Sequence, residues 1–189
     1  MHDYLIALGA NVPTGNSAPV DTLEWALTSL AAKGVEVEAV SAFYATPAYP
    51  AGSGPDFANA AARVKSSLAA ADFLALLHQI EADAGRQRVK RWGPRVLDLD
   101  LLAEGARILP DRAVLTEWMG LTAEEAATLT PDMLLLPHPR LHERGFVLVP
   151  LADIAADWRH PVTGKTVTEM RDARPAAELA QIRAIPRKL

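Results

Sequence analysis

The sequence contains no cysteine, which excludes a disulfide framework, a thiolate metal site and a cysteine nucleophile, and suits a reducing compartment. It has no apolar run near the roughly 20 residues a spanning helix needs. Nor does Met1-His2-Asp3-Tyr4 open a charged-then-apolar targeting pattern. These absences predict a soluble cytoplasmic protein. Excess positive charge is missing as well: 19 Lys and Arg stand against 23 Asp and Glu, a net charge of −4. No general basic surface advertises nucleic acid or anionic lipid, so any attraction for phosphates has to be local. Gly52-Ser53-Gly54 is too compressed for a nucleophile elbow. Gly164-Lys165-Thr166 imitates the end of a nucleotide-binding loop, but Arg159 stands where that loop needs glycine. His138 and His142 are four apart, yet Pro139 and a missing glutamate argue against a zinc-binding helix. There is no internal repeat.

What is present fits one folded domain with appendages: 189 residues, half of them hydrophobic. Tyr4 to Leu8 reads as a buried strand closed by a turn at Gly9-Ala10-Asn11. Leu23, Ala26, Leu27 and Leu30 then recur at helical spacing, with Gly34 just past the end. Val35 to Tyr44 reads as a second strand, followed by a Pro- and Gly-rich loop from Thr46-Pro47 to Pro55. Phe57 to Lys65 alternates: Ala58, Ala60, Ala62 and Val64 form a small-residue face suited to helices, while Phe57, Asn59, Arg63 and Lys65 share the other with Ala61. A second amphipathic helix carries Phe73, Leu76, Leu77, Ile80 and Ala84 and stops at Gly85; Val96 to Ala103 is a fourth strand. Strand, helix, strand, strand, helix, strand is the α+β, ferredoxin-like βαββαβ sandwich, with helices on one sheet face and the other open for ligands. Further helices are expected around Thr122 to Thr128 and Gly145 to Ala155, and a small surface helix or frayed tail from Arg171.

The stretch that speaks most of chemistry runs from Gly85 to Asp100, a basic loop leading into an acidic strand. Asp98 and Asp100 point one way on that strand, while Leu97, Leu99 and Leu101 point into the core. Paired carboxylates suit a divalent cation such as magnesium, which shares its coordination with substrate phosphates. A solvated polar face is the bland alternative. Arg86, Arg88, Arg91 and Arg95 stand immediately upstream, and guanidinium forks match phosphate oxygens, so adjacency favours the polyphosphate reading. Glu81 and Asp83 sit in the last turn of the second helix, where the dipole disfavours acids; pairing with those arginines is the simplest account, with ligand or metal contact as the other. Phe57 and Asn59 offer a ring beside an amide, which suits a flat heterocycle or ordinary cross-strand packing. Phe146, after Arg144-Gly145, is either a second aromatic plane or the first core residue of a helix. His138, stiffened by flanking prolines, and Arg144 are candidate phosphate donors.

Arg91-Trp92-Gly93-Pro94-Arg95-Val96-Leu97-Asp98-Leu99-Asp100-Leu101-Leu102 closely resembles the signature of the 6-hydroxymethyl-7,8-dihydropterin pyrophosphokinase (HPPK) family. Ala7-Leu8-Gly9-Ala10-Asn11, Phe43 to Pro47, Pro55 to Asn59, Gly85 to Arg88, Leu136-Pro137-His138 and Arg144-Gly145-Phe146 resemble its other segments in the same order. The resemblance spans Tyr4 to Ile154. It implies transfer of pyrophosphate from ATP to the pterin hydroxymethyl group in folate biosynthesis, with two magnesium ions on Asp98 and Asp100. It also implies a pterin held by Phe57, Phe146, Asn59, Thr46 and Pro47. By the same resemblance Arg86 and Arg95 are expected to act as catalytic arginines, and Glu81, Arg88, Trp92, Leu101, His138 and Arg144 to serve ATP. The pyrophosphokinase domain is expected over residues 1–160, with an insertion near 112–133 and an extension over 161–189, in a monomer with small-molecule substrates. Three departures stand out: Phe57 where tyrosine is frequent, Pro139 in place of an aromatic, and an arginine loop one residue short. A non-catalytic ligand-sensing or RNA-binding domain on the same sandwich is the competing expectation.

Overall fold

The computed structural model describes residues 1–13, 17–48, 54–85 and 96–186. The chain begins with β1 (His2–Ala10), followed by α1 (Pro19–Ala32), β2 (Glu36–Val40) and β3 (Tyr44–Thr46). Next come β4 (Phe57–Ser66), α2 (Ala70–Asp83) and β5 (Asp98–Glu104). The pairing order is β5-β1-β4-β3, with β2 also on β4, all antiparallel. This is the ferredoxin-like arrangement, with one difference from expectation. The second strand is broken in two at Ser41–Phe43, because the Ser41 hydroxyl accepts the Ala61 N–H at 2.9 Å and Asp153 accepts the Ala42 N–H at 3.1 Å.

Local chemistry explains the helices. α1 starts at Pro19, and Asp21 accepts the Ala18 N–H at 2.7 Å, satisfying a group the first turn cannot. Gly34 (φ +81°) and Gly85 (φ +85°) follow α1 and α2 in the left-handed region that glycine enters without penalty. Both helices pack on the small-residue face of β4. Leu23, Ala26, Leu30, Phe73, Leu77 and Ile80 lie against Ala58, Ala60, Ala62 and Val64 with Tyr4, Ile6 and Leu8 of β1. Each fully buried leucine or isoleucine there stabilises by about 2 kcal/mol, and the alanines let the helices approach closely. Leu97, Leu99 and Leu101 complete this core.

The opposite sheet face is only partly open, which corrects the expectation. Beyond β5 come α3 (Arg112–Met119), α4 (Ala123–Thr128), a 3-10 turn (Leu141–Glu143), α5 (Gly145–Ala155), α6 (Val167–Asp172), α7 (Ala176–Leu179) and β6 (Arg183–Ala184). Val147, Leu148 and Leu151 of α5, with Val167 and Met170 of α6, bury Leu5, Ala61, Leu102 and Ala103 in a second core. Among the described residues, the end of the face nearest Asp98 and Asn59 holds one cleft, and a second lies at the other end among Asp3, Leu5, Arg63 and Trp158. The 112–133 segment is two capped helices, Asp111 accepting the Val114 N–H and Thr122 the Glu125 N–H. Instead of fraying, the tail adds β6 to the sheet beside β3, pairing Tyr44 with Ala184 and Ala45 with Arg183.

Candidate active site

Register brings the candidate residues together. Gly9 of β1 lies opposite Asn59 on one side and Asp98 on the other, and Ala7 lies opposite Ala61 and Asp100. Directly opposed residues point to the same face, so Asn59, Asp98 and Asp100 share the uncovered patch. Gly9, Asn59, Asp98, Asp100 and Phe146 line one cleft with Ala7, Leu8, Ala60 and Val147. Glycine at position 9 keeps the floor low: a Cβ there would stand 3.0 Å from Asn59 Oδ1 and 4.0 Å from both Asp98 Cβ and Phe57 Cδ1.

The walls differ in character. Asn59 is buried, and its amide donates to Thr46 Oγ1 at 2.7 Å, which fixes which end of the amide faces Gly9. Phe57 pairs with Thr46 and is half-buried, while Pro47 follows β3 exposed. Across the cleft, Phe146 is 41% exposed although aromatic, a ring offered to something flat. Arg144 stands between the two chemistries, its Nη1 3.6 Å from Asp100 Oδ2 and its guanidinium carbon 5.9 Å from the Phe146 ring centre.

His138 is held by backbone. Its N–H donates to the Leu102 carbonyl at 2.8 Å; Leu102 is the extra residue where the β1–β5 register slips by one, between Leu5/Ala103 and Ile6/Leu101. The Arg140 N–H donates to His138 Nδ1 at 3.1 Å, which leaves the proton of the neutral ring on Nε2. Burial, then the nearby Arg144 charge, lower its pKa to about 3, against an opposing pull from Asp98. His138 is therefore a neutral donor at physiological pH, beside an arginine and an aspartate.

Residues 5–156 match the family model described as 7,8-dihydro-6-hydroxymethylpterin-pyrophosphokinase (HPPK). The chain belongs to this family. The curated pyrophosphokinase of Synechocystis sp. is 39% identical over 171 residues, covering 89% of this chain and 74% of the relative. That of Methylorubrum extorquens is 39% identical over 166 residues, covering 87% and 88%. Both relatives are named 2-amino-4-hydroxy-6-hydroxymethyldihydropteridine pyrophosphokinase. Among solved structures, the Plasmodium falciparum HPPK-DHPS protein superimposes with a TM-score of 0.59 at 14% identity, over 91% of this chain and 43% of that one. That likeness is one of fold.

Among the residues expected to serve an HPPK reaction, Thr46, Phe57, Asn59, Asp98, Asp100, Arg144 and Phe146 gather around one end of the sheet, and His138 is electrostatically coupled to them. Arg86, Arg88, Trp92 and Arg95 lie outside the described residues. Two of the expected residues are buried. Leu101 is 4% exposed and packed in the core under the sheet, so its side chain is not presented to ATP. Glu81 is 2% exposed and accepts the Leu99 N–H at 2.8 Å, so one of its oxygens anchors the strand between the two aspartates. Sequence reading missed two further residues. The sequence places Gly9 at a turn, yet it lies within β1; the signal for this is a glycine where the strand alternation continues. Glu178 accepts the Gly145 N–H at 2.8 Å from 33 residues away, and no local pattern announces that.

Proposed function

We propose that this chain transfers the β,γ-diphosphate of ATP to the hydroxymethyl group of 6-hydroxymethyl-7,8-dihydropterin, releasing AMP and the pterin diphosphate for folate synthesis. Family membership over residues 5–156 carries the reading, and the cleft is chemically suited to it. The pterin hydroxyl oxygen bonds to the β-phosphorus, the bond from that phosphorus to the α-phosphate bridging oxygen breaks, AMP leaves with that oxygen, and the hydroxyl proton passes to solvent. Phe146 and Phe57 hold the ring by stacking, and Asn59, its amide set by Thr46, reads the edge beside Pro47. Arg144 and the neutral His138 donate to phosphate oxygens. Arg86, Arg88 and Arg95, with Trp92, close the phosphate side. Rate enhancement then comes from positioning and charge neutralisation.

Asp98 and Asp100 would hold magnesium: they are two carboxylates on one face of the cleft, hard oxygen donors of the kind that ion takes. Two ions are expected there. The chemistry they supply when bound is neutralisation of the phosphate charge. We take the protein to act in the cytoplasm, as a monomer on small molecules.

The test is AMP formation from ATP and magnesium with and without the pterin, in wild type, Asp98→Ala and Arg95→Ala. Pterin-dependent AMP that drops by about a hundred-fold or more in both variants is expected for lost charge stabilisation. Folded protein that binds pterin tightly and yields no AMP would overturn the reading in favour of a sensing domain.

A further inference from the structure

The family model ends at residue 156, yet the tail beyond it reaches back to the cleft at two points. α5 opens at Gly145 with Arg144 as its N-cap, and Arg144 makes no capping hydrogen bond. It cannot, since a guanidinium has no acceptor. The first N–H groups of a helix need one. Here the acceptor is Glu178 on α7: its Oε1 takes the Gly145 N–H at 2.8 Å, while Arg174 Nε and Nη2 hold its Oε2 at 3.1 and 2.8 Å. Glycine is required for this approach, because a Cβ on residue 145 would lie 2.5 Å from Glu178 Oε1. Immediately afterwards the chain forms β6 on β3, and the Ile185 N–H donates to the Phe43 carbonyl at 2.7 Å. β3 carries Thr46, which orients Asn59.

We propose that Glu178, braced by Arg174, is a positioning residue of the pterin site: it supplies the helix cap that Arg144 cannot, and so fixes the helix start from which Arg144 reaches Asp100 and Phe146 presents its ring. The tail thereby ties the Phe146 wall to the Thr46–Asn59 wall. This rests on the pyrophosphokinase reading given above.

Glu178→Ala removes the acceptor; Gly145→Ala displaces it by crowding only the far end of a flexible side chain; Glu178→Gln keeps a carbonyl acceptor. Steady-state AMP formation and direct binding of the pterin are measured for each beside wild type, at a temperature where circular dichroism shows every variant folded. Expected are a rise of about five-fold or more in pterin KM for Glu178→Ala and Gly145→Ala, and Glu178→Gln within about two-fold of wild type, the scale set by one charge-assisted hydrogen bond. Should Glu178→Ala fold poorly, Gly145→Ala carries the comparison, since it keeps both Glu178 and Arg174 and perturbs the cap from the helix side. A lowered melting temperature with unchanged pterin KM in both variants would reduce Glu178 to a structural cap and overturn the proposal. Wild type lacking pterin-dependent AMP would instead sink the underlying reading, so the two failures are distinguishable.

Discussion

Gly9→Ala probes the floor of the cleft with a single methyl group. The new Cβ meets Asn59 Oδ1 at 3.0 Å, closer than ordinary contact, whereas Asp98 Cβ and Phe57 Cδ1 at 4.0 Å need not move. The asparagine therefore has to yield, by a few tenths of an ångström. It is 7% exposed and tied to Thr46 at 2.7 Å, so any shift strains or breaks a buried hydrogen bond worth about 1 kcal/mol. Crowding adds roughly 1 kcal/mol at its mild end, and replacing a strand glycine by alanine returns about 0.5–1 kcal/mol. The net loss of stability is about 1 kcal/mol, or roughly 3 °C in Tm for a chain of this size. Binding suffers more, because the displaced amide is the group proposed to read the pterin: a shift that loses about 1.4 kcal/mol weakens pterin affinity about ten-fold. Calorimetric titration of the pterin into wild type, Gly9→Ala, Asn59→Ala and the double variant checks the route. If the effect travels through Asn59, Gly9→Ala costs nothing further in the Asn59→Ala background. Wild-type affinity in Gly9→Ala, or a full ten-fold loss without the asparagine, would refute the reasoning.

Three other outcomes follow from the geometry. Phe146→Ala is expected to raise pterin KM by about ten-fold while Tm stays within about 2 °C, since the ring is 41% exposed and its contribution lies in stacking on a ligand; a large fall in Tm with unchanged KM would mean a core role. Glu81→Ala leaves the Leu99 N–H without its buried acceptor and is expected to destabilise by about 1–3 kcal/mol and to raise the magnesium concentration needed for half-maximal rate; urea unfolding and a magnesium titration test both halves. Stability should also fall as pH falls below the ordinary histidine value of 6.5. Burial lowers His138 to about 3 and His160 to about 4, and lowers His142 as well. The unfolded chain then binds protons that the folded chain refuses, so stability is complete above about pH 6.5 and is lost as pH drops toward those folded values. Urea unfolding at pH 7 and pH 5 measures the slope, and equal midpoints would contradict the burial.

Much of this architecture could be read from residue order because its signals are local. Period-two alternation assigned Asp98 and Asp100 to one face and Leu97, Leu99 and Leu101 to the other, and the alanine face of β4 foretold where both helices pack. The acid in the last turn of α2 was visible as a broken rule, but its reason is a backbone N–H on another element, which spacing cannot show. The break between β2 and β3 comes from a serine hydroxyl and from Asp153, 111 residues beyond its partner Ala42. The half-covered sheet face likewise depends on where α5 returns. At Leu101 a motif match and strand geometry speak of different atoms: the HPPK signature implies a role toward ATP, and strand alternation turns the side chain inward, which leaves the backbone for that role.

The short terminal strand has a meaning for solubility as well. A sheet's outermost strands expose main-chain groups that can recruit another chain. At the β5 rim, Glu81 takes the Leu99 N–H and closes that position to a newcomer. β2 is guarded by Glu36 and Glu38, the latter paired with Arg63 and Lys65. β3 carries no such charge, and β6 covers it instead. A chain cut before Arg183 would uncover Tyr44 and Ala45 as a sticky edge, and intermolecular strand addition, read as concentration-dependent light scattering, is the behaviour that cut should provoke.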